Sequence, residues 1–421
     1  MNRKRTFLPG AVTMITPLLV TVLILLCAGC AQVSSSPPSP QLPRALEATL
    51  SRYVAELPPG EGISLRAEAG NPDLVWAQAR GANVNPAQAV RIASITKTFI
   101  AAATLRLVDQ DRLSLDAPIG PLLPRPLADV VRADGYDLTR ITVRMLLSHT
   151  AGLFDYAEHP GFQARVMNEP GHVWTRDEQV AFAMDYGDPL GAPGEKFAYS
   201  DTGYVLLGAV IENVTALPMA MAVRGLLSLD HLGLSQTWFE TLEPPPSATP
   251  NRARQRFGAL NVQSIHPSAD LFGGGGLVST PADLTRFFRA LFNGDVLHRK
   301  TLIAMKTPSG QSMASAGAGY GMGLSTRAVD GFTCYGHGGF WGVMAWHCPA
   351  IDLTIAGFVT HTSHRQALVA LMDDVVRLVI AAQAGCAAIS LPTPTSAERA
   401  ASRIPGAQCS QANIPLDPIE G

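Results

Sequence analysis

The sequence predicts a mixed α/β (α+β) fold: an antiparallel sheet flanked by N- and C-terminal helices, with a mainly helical domain inserted into it. Three observations carry this. Alternating, strand-like segments lie near both ends of the chain, and a turn-rich stretch with helical spacing fills the middle. Amphipathic patterns precede the first strands and follow the last, so each end brings a helix to cover the sheet. With 421 residues, 47% of them hydrophobic and 16% charged, the chain can bury a sizeable core in one large domain or two intertwined ones. Its formal net charge of -2 shows no basic excess, so no nucleic-acid partner is expected.

The elements follow in order. Arg3-Lys4-Arg5 precede an apolar run from Thr6 to Leu26, which closes on Leu26-Cys27-Ala28-Gly29-Cys30. A charged start, an apolar stretch and small residues before a cysteine describe an export signal over residues 1–30, with Cys30 as the lipidated residue of a lipobox-like end. The run is also long enough to span a bilayer as an uncleaved anchor. Both readings place the body outside the cytoplasm, in the periplasm and attached to the membrane. Residues 31–42, rich in serine and proline, then form a tether.

From Leu42 the apolar positions Leu46, Leu50, Val54 and Leu57 keep helical spacing, with Pro43 in the tolerant first turn. Ile63, Leu65 and Ala67 alternate, and after the turn Gly70-Asn71-Pro72-Asp73 a second short run follows at Leu74 to Ala79. This reads as a hairpin. Residues 43–93 and 275–385 are assigned to the sheet domain and 94–274 to the helical one. After Ser94 the run from Phe99 to Val108 is apolar almost all round, which marks a helix buried on most sides. Shorter helices are expected at Thr142–Ser148, Arg176–Tyr186 and Tyr204–Leu217, and a proline-rich loop at Pro244–Asn251. Strand-like segments return at Leu277, Gly319–Leu324, Thr333–Gly339, Val343–Cys348 and Leu353–Thr360, with helices at Pro281–Phe292 and Gln366–Ala382. The tail 386–421 is read as irregular.

Of six cysteines, setting aside Cys27 and Cys30 leaves an even four, and exported proteins oxidise such sets. If Trp341 and Gly342 form a hairpin turn, Cys334 faces Cys348 across two strands. Cys386 and Cys409 would then pin the tail; buried free thiols are the alternative.

The chemistry starts at Ser94-Ile95-Thr96-Lys97, which places a hydroxyl and an amine three residues apart on one face of a helix start. Unpaired amides and the helix dipole favour negative charge there. Only five lysines occur, and no other has a serine three residues before it. Further along come Leu146-Leu147-Ser148-His149-Thr150-Ala151-Gly152-Leu153, then Pro193-Gly194-Glu195-Lys196-Phe197-Ala198-Tyr199-Ser200-Asp201, and finally Gly336-His337-Gly338-Gly339. No Gly-x-Ser-x-Gly elbow exists, and His361 and His364 lack a metalloprotease pattern, so α/β-hydrolase and zinc chemistry are disfavoured. The four glycines within Phe272–Ser279 read as a tight backbone passage beside the site. Leu146–Leu153 reads as a helix end and turn, with His149 structural.

Together, in this order, these motifs resemble the serine β-lactamase and penicillin-binding superfamily, on the branch of class C β-lactamases, D,D-carboxypeptidases, D-aminopeptidases and β-lactamase-like esterases. The resemblance runs from about Leu42 to Ala382 and implies a β-lactamase/transpeptidase-like fold. It implies that Ser94 is the nucleophile, Lys97 the amine that activates it and Tyr199 the proton shuttle. It also implies that His337 is the cationic or hydrogen-bonding residue on the sheet edge, and that the amides of Ser94 and Phe340 form the oxyanion hole. Gly338 and Gly339 leave the strand bare for the substrate backbone. Where many relatives have Tyr-x-Asn this chain has Tyr199-Ser200-Asp201. An ionised Asp201 would favour the ammonium form of Lys97, so the expectation is that Tyr199 is the principal base and Asp201 orients Lys97. No cofactor and no metal are expected. The implied activity is that of a D-alanyl-D-alanine carboxypeptidase-like or other D-amino-acid peptidase acting on a small molecule or peptide, with peptidoglycan as a candidate. An esterase, a β-lactamase and a non-catalytic penicillin-binding sensor are the alternatives.

Overall fold

Strands Gly62–Ala69 (β1) and Leu74–Gly81 (β2) pair as an antiparallel hairpin, and the long partner of β1 comes from the far end of the chain. There, Ser325–Val329 (β3), Phe332–Gly339 (β4), Val343–Cys348 (β5) and Leu353–Val359 (β6) follow in a meander. The resulting six-stranded sheet has the order β2-β1-β6-β5-β4-β3, antiparallel throughout. The computed structural model describes residues 41–385 apart from 72, 248–251 and 317–318. The export segment 1–30 with Cys27 and Cys30, nearly all of the tether, the tail 386–421 and the Cys386–Cys409 pairing lie outside the described residues.

Period-two alternation on these strands supplies two faces. On one face Leu65, Met344, Trp346 and Ile355 pack with Leu46 and Leu50 of the helix Gln41–Ala55 (α1) and Leu371 and Val375 of the helix Arg365–Gln383. Helix α1 starts at Gln41, so the last two tether positions belong to it. An Arg52–Asp374 ion pair, 2.7 Å, and a Tyr53 hydroxyl donating to the same carboxylate join the two terminal helices. On the other face Ala345, Ala356 and Phe358 enter a larger core with the helix Thr96–Asp109 (α2) and the helix Pro281–Asn293. Phe99 of α2 stacks on Phe287 there, with ring centroids 3.7 Å apart.

Helix α2 is buried nearly all round, as its apolar run requires. Helix Asp201–Thr215 (α3) lies against it and begins two residues after Tyr199. A Ser200 hydroxyl caps α3 by accepting from the Gly203 amide. One expected strand is absent: residues 319–324 are not a strand, and pairing with β4 starts only at Ser325. Glycine explains the shift. A Cβ on Gly321 would sit 2.2 Å from the Met305 carbonyl, and Gly323 holds a φ of +71° while its own carbonyl accepts from Thr98. The turn at Trp341-Gly342 forms as expected, and Cys334 and Cys348 are joined in a disulfide across β4 and β5.

Candidate active site

Ser94 stands at a corner between the two-residue strand Val90–Arg91 and α2, inside the short 3₁₀ turn Ala93–Ile95. Ala93 adopts a φ of +45°, a conformation that costs a residue with a Cβ on the order of 1 kcal/mol or more and turns the chain sharply at the nucleophile position. One turn on, Lys97 is fully buried and donates to Ser94 Oγ at 3.0 Å, to the Gly274 carbonyl at 2.7 Å and to Asp201 Oδ1 in a short ion pair. Those three acceptors match the three N–H bonds of an ammonium group. Its Nζ also lies 5.0 Å from the Tyr199 ring centroid and 5.7 Å from that of Tyr204.

The Tyr199 phenol also lies near enough to Ser94 for that hydroxyl to act on its proton affinity. Burial, and then the negative charge of Asp201, push its phenol well above the ordinary value; the Ser94 hydroxyl offsets only part of this. Ser94 therefore meets a phenol rather than a phenolate, which argues against Tyr199 as a free-standing principal base. Asp201 does hold Lys97, as expected of an orienting residue.

His337 lies on β4 and is buried. Burial, then the Lys97 charge, push its imidazole down to about 3, so it is neutral across physiological pH and acts here by hydrogen bonding, without a charge. Its Nδ1 is 2.7 Å from the Gly338 carbonyl and its Nε2 3.1 Å from the Tyr320 hydroxyl. A neutral ring satisfies both contacts when Nδ1–H donates and Nε2 accepts. Strand β3 pairs with β4 only as far as Gly336, whereas β4 runs on to Gly339. The outer edge of His337, Gly338 and Gly339 is thus left unpaired by β3. A Cβ on Gly339 would lie 2.2 Å from the Ile92 carbonyl, so only glycine lets this strand end approach the chain just before the Ser94 corner. A Cβ on Gly338 would touch only the Met344 side chain, at 3.4 Å.

Every site residue expected from the sequence falls in this one region: Ser94, Lys97, Tyr199 and Asp201 around the ammonium, and His337 to Phe340 on the strand end. Others enter only through tertiary contact. Gly274 comes from the glycine passage, where a Cβ on it would lie 2.8 Å from Asp201 Oδ1. Asp270 is held by the Trp341 indole N–H at 3.0 Å, and burial followed by the charge of Asp201 raises its carboxyl to about 7. His149 accepts the Ser200 amide on Nδ1 at 3.1 Å and packs its ring 4.2 Å from that of Tyr199. The glycine run and the Leu146–Leu153 motif around His149 gave signals in the sequence; Asp270 and Tyr320 carry no motif.

The family described as Beta-lactamase matches residues 69–379. The chain belongs to the beta-lactamase family. Among curated members of that family it is 29% identical to the esterase EstB of Burkholderia gladioli over 61% of this chain and 71% of that protein. It is also 29% identical to the D-alanyl-D-alanine-carboxypeptidase/endopeptidase AmpH of Escherichia coli K12, over 52% of this chain but only 53% of AmpH's length. Among solved structures, a D-stereospecific amidohydrolase from Streptomyces sp. superposes with a TM-score of 0.68 at 31% identity, over 78% of this chain and 97% of that one. The D-amino acid amidase of Ochrobactrum anthropi SV3 gives 0.67 at 25% identity, over 80% and 99%. These beta-lactamase-family relatives are hydrolases by name, and the two solved structures share the sheet-and-helix architecture described above.

Proposed function

We propose that this chain is a serine hydrolase that forms an acyl-enzyme on Ser94, and that its substrates are amides or short peptides of D-amino acids. The observation that carries the reading is the Lys97 ammonium, which donates to Ser94 Oγ at 3.0 Å and lies 5.0 Å from the Tyr199 ring. Because Lys97 has all three N–H bonds engaged, its part is electrostatic: it holds Ser94 and favours the negative charge that develops on attack. As Ser94 Oγ bonds to the carbonyl carbon, its proton passes to Tyr199 while the phenol proton passes to the leaving nitrogen. The amides of Ser94 and Phe340 are proposed to receive the carbonyl oxygen, and the free edge of His337 to Gly339 to align the substrate backbone as an added strand. Water then attacks the ester by the reverse route. Near-complete coverage of two D-selective amidohydrolases supports the substrate class; the similarity to EstB supports ester cleavage as a second reading. The apolar segment ending at Cys30 supports an exported, membrane-attached location near peptidoglycan.

The test is turnover of D-phenylalanine amide, its L-isomer, a D-Ala-D-Ala peptide, a p-nitrophenyl ester and a chromogenic cephalosporin, with mass spectrometry of the trapped acyl-peptide. Faster cleavage of the D-amide, lost in Ser94→Ala with label on the Ser94 peptide, is expected. Activity that survives Ser94→Ala rejects the nucleophile. Labelling without turnover would favour a non-catalytic penicillin-binding sensor.

A further inference from the structure

We propose that Glu61, His361 and His364 form a binding site for a divalent transition-metal ion, zinc above all, at the junction of the first strand of the sheet and the last helix. One ligand atom from each of the three side chains lies within 4.8 Å of the others. Backbone pairing holds them there. Glu61 immediately precedes β1, and His361 follows β6 by two residues. The Gly62 amide donates to Thr360 Oγ1 at 2.9 Å and the Thr360 amide donates to the Gly62 carbonyl at 3.1 Å, which clamps the two segments side by side. His364 then returns to the same side through the 3₁₀ turn Thr362–His364, its amide bonded to the His361 carbonyl at 3.1 Å.

The carboxylate supplies the independent sign of a missing partner. The Glu61 side chain is only 10% exposed, and its Oε2 is buried without a hydrogen bond. His364 Nε2 stands 2.6 Å from that oxygen yet out of alignment for a hydrogen bond, so proximity does not satisfy it. A bound cation would give this oxygen and an imidazole nitrogen a shared partner in place of each other. On tetrahedral zinc, ligand atoms about 2.0–2.1 Å from the metal stand roughly 3.3 Å apart, so loading the site moves this pair apart by less than an ångström. The His361 ring is already oriented from outside. Its Nδ1 accepts from the Ser363 amide at 3.2 Å and lies 2.7 Å from Ser363 Oγ, and its Nε2–H faces the Gly258 carbonyl at 3.2 Å, so the lone pair a metal would take is on Nδ1, in place of the Ser363 amide, with Nε2–H held by Gly258.

Two imidazoles and one carboxylate suit zinc and its neighbours cobalt and nickel, whereas magnesium and calcium prefer all-oxygen sites. Three protein ligands leave a fourth position to water. No catalytic part is assigned to the ion: its effect is to join the start of β1 to the start of the helix Arg365–Gln383.

The experiment uses the full chain purified without a histidine tag and stripped with chelator, titrated calorimetrically with zinc chloride. One equivalent should bind saturably and raise the melting temperature, and cobalt in its place should give the visible bands of a four-coordinate site. His361→Ala, His364→Ala and Glu61→Gln should each weaken binding at least about tenfold, the lower end of what even an outer partner costs. His231→Ala, an exposed histidine elsewhere, and Ser94→Ala should leave it unchanged, so this result stands apart from the hydrolase reading. The absence of one-equivalent binding, or binding undiminished in any of the three ligand variants, overturns the proposal.

Discussion

At the scale of single residues, Lys97 and Asp201 decide the character of the site. A buried ammonium is costly unless its hydrogen bonds are met and its charge is opposed, and here three acceptors, one of them a carboxylate, meet both conditions. The same carboxylate acts on its neighbours, because after burial it is the largest contribution raising both Tyr199 and Asp270. Asp201→Asn keeps the shape and removes the charge. Both groups should then release protons more readily, and the kcat/KM–pH profile should move toward lower pH. A rate change with the limbs of the profile unmoved would mean that Asp201 carries no charge in the working enzyme.

At the scale of elements, the decisive piece is β4, which outruns its neighbour and ends at the serine corner. Its two last glycines differ in why they are glycine, and the difference is testable. Gly339→Ala places a methyl group against the Ile92 carbonyl, so it should destabilise by about 1–3 kcal/mol and remove activity by displacing the strand end. Gly338→Ala meets only a flexible methionine; it should leave the melting temperature almost unchanged and raise KM by roughening the open edge. Equal losses of stability in the two variants, measured by denaturant titration, would contradict this account. At the other end of the same hairpin the Cys334–Cys348 bond closes a short loop, and replacing both cysteines by serine should cost about 2–4 kcal/mol while sparing KM. An unchanged midpoint for denaturation would count against that.

Much of this was legible in the chain itself. Ser94 and Lys97 share a helix turn, so local spacing is enough to align them, while Tyr199 is marked by its motif just before a capped helix and brought to them by packing. Strand 332–339 likewise announces itself through its bare glycines and paired cysteines. What stayed hidden depends on contacts between distant segments. Asp270 and Tyr320 gain meaning only when the fold brings Trp341 and His337 against them, and the alternation at 319–324 is overridden because Gly321 and Gly323 serve close approach instead of pairing. The neutral state of His337 follows from burial beside an ammonium, which no motif encodes.

At the scale of the whole molecule, a buried histidine makes stability depend on pH. His347, bonded to Thr354 and stacked on Phe292, is pushed down by burial to about 4. Below about 6.5 the unfolded histidine takes a proton that the folded one refuses until about 4, so the unfolded state binds more protons and stability falls with pH in that window. In His347→Gln the histidine contribution disappears, so the stability of wild type relative to the variant should decline from pH 7 to pH 4. A difference that is flat across that range would rule out a buried neutral His347.

The pairing of the first strand with the last has a consequence for how the protein is made. Gly62 and Thr360, bonded to each other beside the sheet, are 298 residues apart in sequence. At about 5–20 residues per second of synthesis, β1 waits roughly 15–60 s for its partner to exist. The helical middle can fold from contacts within itself, but the edge formed by His337, Gly338 and Gly339 reaches Ser94 only once the C-terminal meander has been made. Assembly of the site is therefore a late event in the life of the nascent chain, and a truncation within β5 or β6 would leave the serine in place with no edge beside it.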